Sequence, residues 1–188
     1  MKKFLALGMV LLFAFSAPVI ASDFDNWLKG KGIDWVEDKE NIITFSFSWN
    51  TIYAHYETKL TNKNGLGINA HLGWYGTSYW GWTTFGVGAE YNWYFQGGHA
   101  LNGLFAGPAA YLQLVSYSYD DFYFSSYYED ATTFSLGIGG QAGYRWIWEN
   151  GLTASIKLGL YLNLGGSTEY TDFDVFAPRP GGAIGYAW

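Results

Sequence analysis

Leu152-Thr-Ala-Ser-Ile-Lys-Leu-Gly-Leu-Tyr-Leu-Asn-Leu164 is the stretch that decides the fold. Leu152, Ala154, Ile156, Leu158, Leu160, Leu162 and Leu164 share one face, and Thr153, Ser155, Lys157, Gly159, Tyr161 and Asn163 share the other. A period of two is the signature of a strand with one oily and one polar side. Leu66–Tyr75 repeats the pattern, with Leu66, Ile68, Ala70, Leu72 and Trp74 opposing Gly67, Asn69, His71, Gly73 and Tyr75. Six further segments follow it less cleanly. They are centred on Ile43–Trp49, Ile52–Glu57, Thr84–Phe95, Leu104–Leu114, Phe134–Trp148 and Arg179–Trp188. Pro108 and Pro178 weaken two of these locally, because proline cannot donate to a ladder.

The charges separate two kinds of barrel. Every strand charge that can be placed, namely Glu57, Glu90, Arg145, Lys157 and Arg179, falls on the face opposite the oily one. A soluble barrel keeps charges outside and oil within, whereas a membrane barrel turns its oily face to lipid and its polar face to the lumen. The expected fold is therefore all-β, a transmembrane antiparallel up-and-down β-barrel of eight strands. The eighth strand depends on a turn at Trp49-Asn50-Thr51, without which the count would be odd.

Composition agrees. The chain of 188 residues is 49% hydrophobic and 21% aromatic but only 14% charged, against about a quarter charged in ordinary soluble domains. Its 25 glycines show no fixed period, and it has no cysteine for disulfides, redox chemistry or thiolate metal sites. A net charge of −6 without a basic run argues against nucleic acid as a partner. Lys2 and Lys3, the apolar run Phe4–Phe15 and the small-residue end at Ala21 read as a secretory signal peptide, residues 1–21. Residues 22–40 are acidic, with Trp27, Leu28 and Trp35, and predict a short periplasmic helix or an unstructured lead. Residues 41–188 form the barrel.

Turns at Thr61–Gly65, Gln96–Asn102 and Glu149–Gly151 are short, and connections at Ser118–Ala131 and Gly165–Ala177 are long. Outer-membrane barrels pair short periplasmic turns with long external loops, which puts both termini in the periplasm. Trp49, Trp74, Trp80, Trp82, Trp93, Trp146, Trp148 and Trp188 sit near strand ends, suiting interfacial girdles. Inward glycines make room in a narrow lumen.

With its signal peptide, barrel pattern and ending Gly185-Tyr186-Ala187-Trp188, the chain resembles the small eight-stranded outer-membrane barrels of the OmpX/OmpW-like class. Gly86–Phe95 and the Tyr56-Glu57 pair also resemble a widespread barrel family of unknown function. The resemblance implies residence among outer-membrane lipids and lipopolysaccharide. It also implies that Trp188, an aromatic where Phe is usual, is the assembly signal for the barrel-assembly machinery.

Four sets of residues invite a function. Glu57, Glu90, Arg145 and Lys157 fall at similar depth and should pair as a plug, or else form a narrow gate. His55 and His71 are expected to face one another if Leu60 and Leu66 close the turn, as a weak metal site or as part of a polar network. The external loop residues Asp120, Asp121, Phe122, Tyr123, Phe124, Tyr127, Tyr128, Glu129 and Asp130 read either as soluble strand extensions or as a contact surface for an extracellular ligand or protein. Ser125, Ser126 and Ser167 have no histidine in the long loops, since His99 lies in a lower turn, so lipid-modifying catalysis lacks a local base. The reading is a non-enzymatic barrel without cofactor, structural or surface-interacting, with a largely plugged lumen. A narrow channel for small or hydrophobic solutes is the alternative.

Overall fold

The computed structural model describes residues 39–48, 50–77, 80–95, 100–119, 131–164 and 176–188. Eight strands run in chain order: β1 (Asn41–Ser48), β2 (Thr51–Thr61), β3 (Asn64–Gly76), β4 (Trp80–Tyr94), β5 (Gly103–Tyr119), β6 (Ala131–Ile147), β7 (Leu152–Leu164) and β8 (Phe176–Ala187). Each pairs antiparallel with its neighbours, and β1 pairs with β8 to close the barrel. The first hairpin turns between Ser48 and Thr51, which are directly paired, so the even strand count holds. Asn41 and Ala187 lie together at one end, called lower below. Residues 62–63, 95–102 and 148–151 connect strands there. Residues 49–50, 77–79, 120–130 and 165–175 connect them at the upper end. The proposed signal peptide, nearly all of the 22–40 lead, and the loop residues 120–130 and 165–175 lie outside the described residues.

The wall is oily outside and polar inside. Phe47, Ile184 and Phe95 are 69%, 65% and 63% exposed. Leu66, Ile68, Leu72, Phe85, Val87, Phe134, Ile138, Leu152, Ile156 and Leu162 continue the band around the barrel. Soluble monomers leave far smaller apolar patches in water. Thr44, His55, Glu57, His71, Glu90, Asn92, Gln113, Ser135, Gln141 and Arg145 are instead buried. Inward glycines make this possible, because an eight-strand lumen is only wide enough for side chains to fill. A Cβ at Gly67 would come 2.5 Å from His55 Nε2.

The prolines do not end their strands. β5 runs through Pro108, and pairing with β4 lapses only between Glu90↔Ala109 and Trp93↔Ala106. β8 carries Pro178 and Pro180 and stays paired with β7 along Phe176–Tyr186. Its pairing with β1, however, covers four residues, Ile42–Phe45 against Ile184–Ala187. Above Phe45 and Ile184 the two strands bond only to their other neighbours.

Two sequence expectations need correction. β2 and β3 turn more tightly than the expected Thr61–Gly65 turn, with Thr61 opposite Asn64 and an irregularity between Lys59 and Thr61. His55 therefore lies opposite Asn69, Tyr53 opposite His71, and Glu57 opposite Gly67. The second correction concerns Trp82. It lines the lumen and stacks with Tyr75 at 6.5 Å between ring centroids, so it belongs to the interior rather than to an external girdle.

Candidate functional site in the barrel lumen

The lumen is filled in layers. At the lower end Ile42, Tyr94, Ala100, Leu101, Phe105, Ile147 and Ala187 form an apolar floor. Leu101 reaches it from the β4–β5 connection with φ of 78°, in the left-handed region that strains any residue with a Cβ. Its side chain is fully buried.

Above the floor lies the charge layer. Arg145 Nη1 meets Glu57 Oε2 at 2.8 Å and donates to the Tyr94 hydroxyl at 2.6 Å. Tyr94 in turn donates to Glu57 Oε1 at 2.7 Å. The Arg145 guanidinium also stands over the Phe105 ring, 5.2 Å from its centroid, which ties this layer to the floor. Beside it, Lys157 Nζ donates to Glu90 Oε1 at 2.7 Å, and Asn69 Nδ2 donates to the same oxygen at 3.0 Å. Gln141 Nε2 donates to Glu90 Oε2 at 2.6 Å and to Asn92 Oδ1 at 2.9 Å. His55 Nε2 links the halves, 3.3 Å from Glu90 Oε2 and 3.9 Å from Glu57 Oε2. Glu57 thus pairs with Arg145, and Glu90 with Lys157. Desolvated ions persist only when paired and further hydrogen-bonded, and this layer supplies both conditions.

The upper layer joins Arg179 and His71, both of inward parity, which the sequence reading did not connect. Arg179 Nη2 donates to the Tyr111 hydroxyl at 2.9 Å and to Gln113 Oε1 at 3.2 Å. Its guanidinium lies 4.1 Å from the Tyr111 ring centroid and 5.6 Å from that of Tyr161. Tyr111 also donates to Asn163 Oδ1. His71 sits here, 5.1 Å from Tyr53 and 6.4 Å from Tyr111 between ring centroids. His55 and His71 are therefore not directly opposed, as the turn at Leu60 and Leu66 would have made them, but stand two positions apart in the β2–β3 register. Among the described residues no group of three potential ligands could hold a metal ion.

A cavity of about 560 Å³ occupies the upper lumen. Glu90, Arg145 and Lys157 lie at its base, Tyr53, His71, Tyr111, Tyr161 and Arg179 along its sides, and Trp82 and Tyr117 higher up. That size falls in the range of roughly 300–1,000 Å³ typical of small-molecule pockets. Sequence reasoning missed Tyr94, Asn69, Asn92 and Gln141 as members of the charge layer, although their inward parity was legible.

A closed eight-stranded antiparallel barrel with an apolar wall and a charged, filled lumen is the architecture of small outer-membrane barrels. No family model matches the sequence, and no curated protein does. The fold is similar to the crystal structure of Ail, the attachment invasion locus protein of Yersinia pestis. The TM-score is 0.51 at 10% identity, over 81% of this chain and 100% of that one. The likeness is one of fold.

Proposed function

We propose that the chain is a non-enzymatic bacterial outer-membrane protein that holds its long loops at the cell surface on a barrel sealed at its lower half. The observation that supports this reading is a pair of stacked layers in the lower lumen. The apolar floor around Leu101 and Phe105 underlies the Glu57–Arg145 and Glu90–Lys157 layer. In this orientation both termini are periplasmic, the 120–130 and 165–175 loops are external, and Trp188 serves assembly. Ail is by its name an attachment invasion locus protein, and a surface-contact role for Asp120–Asp130 is in keeping with that.

Two measurements test the proposal. In planar bilayers the protein should give no steady conductance steps, and regular steps would establish the channel alternative. On intact cells, external chymotrypsin should cut the aromatic-rich 120–130 segment while leaving the barrel whole. Cleavage only after the outer membrane is opened would reverse the orientation.

A further inference from the structure

We infer that the upper lumen cavity is a binding site for a small water-borne organic anion. Its carboxylate or phosphate group sits between Arg179 and Lys157, and its ring-sized body lies among the surrounding aromatic side chains. Three observations converge on this.

The first is the placement of the two cations. Lys157 on β7 is directly opposite Gly181 on β8, and Arg179 on β8 is directly opposite Gly159 on β7. Lys157 and Arg179 are therefore diagonal neighbours, a relation that sets Cα atoms about 7–8 Å apart. Both line the cavity. Each has a glycine for its direct partner, so neither is crowded by a side chain from straight across the ladder. A Cβ at Gly181 would meet only Lys157 Cγ, at 3.7 Å, which leaves open space beside the ammonium. Like charges so placed repel one another, and an anion between them turns that repulsion into attraction.

Second, the cavity sees the cations and hides the acids. The side chains of Glu57 and Glu90 are 0% and 3% exposed, whereas that of Lys157 is 33% exposed and Arg179 is half-buried. Lys157 Nζ has one acceptor, Glu90 Oε1, although an ammonium carries three donors. Arg179 donates through Nη2 alone, to Tyr111 and Gln113, so among the described residues its Nη1 and Nε have no acceptor. Nor does any carboxylate of the described residues lie within ion-pair distance of it. Free donors on two cations call for oxygen atoms that carry negative charge. Third, the surroundings suit a ring. Tyr111 holds the Arg179 guanidinium against its face at 4.1 Å, and Tyr53, Tyr161 and Trp82 line the cavity nearby. A volume of about 560 Å³ is far more than a bare ion fills, and aromatic faces favour a flat or cyclic body. A guanidinium fixed by neutral partners and framed by rings is a polar anchor in a mostly apolar pocket, the usual make-up of small-molecule sites.

This inference does not depend on the loops acting at the surface, so conductance and chymotrypsin results leave it untouched. Isothermal titration calorimetry of the folded chain in nonionic detergent micelles tests it, with benzoate and phenyl phosphate as probes. At least one of them should bind saturably, one per chain. Acetate and inorganic phosphate lack the ring, benzyl alcohol lacks the charge, and all three should bind about ten-fold more weakly or less, a difference of one missing contact. Arg179→Gln, which keeps polar atoms but loses the charge, should weaken probe binding about ten-fold or more, as loss of a charged hydrogen bond does. Gly181→Leu alters no charge and fills the open space beside Lys157, and it should abolish binding. Heat-dependent gel mobility verifies that each variant is folded. Saturable binding of neither probe overturns the inference, as does wild-type affinity in Arg179→Gln or in Gly181→Leu. Equal affinity for acetate or inorganic phosphate also overturns it, since that marks a bare ion site, and equal affinity for benzyl alcohol does so by marking an apolar pocket without an ionic anchor.

Discussion

Replacing Arg145 with Met should destabilise the barrel by about 3–5 kcal/mol, the usual result of stripping one partner from a buried ion pair. Glu57 has no solvent exposure to compensate. Without Arg145 it keeps the Tyr94 hydroxyl at 2.7 Å, while His55 remains 3.9 Å away. One hydrogen bond does not solvate a carboxylate in that setting. Met refills much of the space over Phe105, so lost packing is a minor part of the effect. The double variant E57Q/R145M removes both charges together. It should recover most of the loss, giving a coupling energy of about 2–3 kcal/mol between the two positions. Equilibrium urea unfolding in lipid vesicles, followed by tryptophan fluorescence, measures all four corners of the cycle. Arg145→Met within about 1 kcal/mol of wild type would refute the reasoning, as would strictly additive single effects, because neither fits an uncompensated buried charge.

Four other variants have outcomes that follow from the packing and the wall. Gly86→Ala should cost about 1–3 kcal/mol, because its Cβ would lie 2.6 Å from His71 Nε2 and 2.9 Å from Leu112 O. Gly76→Ala, with nothing within 4 Å, should stay within about 0.5 kcal/mol of wild type in the same unfolding assay. Ile68→Lys, on a side chain 59% exposed to the outside, should destabilise the bilayer-inserted barrel by roughly 2–4 kcal/mol. A neutral result there would contradict the membrane-facing wall. Phe105→Ala should cost about 3–5 kcal/mol, and in planar bilayers it should bring more conductance than wild type shows, since it opens the floor beneath the charge layer.

Period two carried most of the architecture. Leu152–Leu164 and Leu66–Tyr75 reveal which side chains face lipid, and the five inward strand charges exclude a soluble barrel. Parity is blind to an even slip, however. Pairing His55 with Asn69 instead of His71 moves the register by two residues and leaves every side chain on its own face. The layering of the lumen depends on that register, so the two histidines could not be assigned to separate layers from the sequence. The apolar floor escaped for a different reason. Ile42, Phe105 and Ile147 are oily residues at inward positions, and Leu101 enters from a connection. A rule that gives oil to lipid has no place for them. Trp82 shows the same limit, since its position near a strand end suggested a girdle while its parity pointed inward.

The floor and the charge layer fill the lower half of the lumen, and a cavity of about 560 Å³ lies above them. Charges crossing a barrel interior must be matched locally, and matching in the lower half needs groups of fixed depth: Glu57 and Arg145 on one side, Glu90 and Lys157 on the other. Tyr94, Asn69, Gln141 and His55 tie these pairs into one slab that sits on Phe105 and Leu101. Nothing comparable spans the upper half among the described residues. There the β1–β8 ladder stops at Phe45 and Ile184, and among the described residues Arg179 is held by the neutral groups of Tyr111 and Gln113.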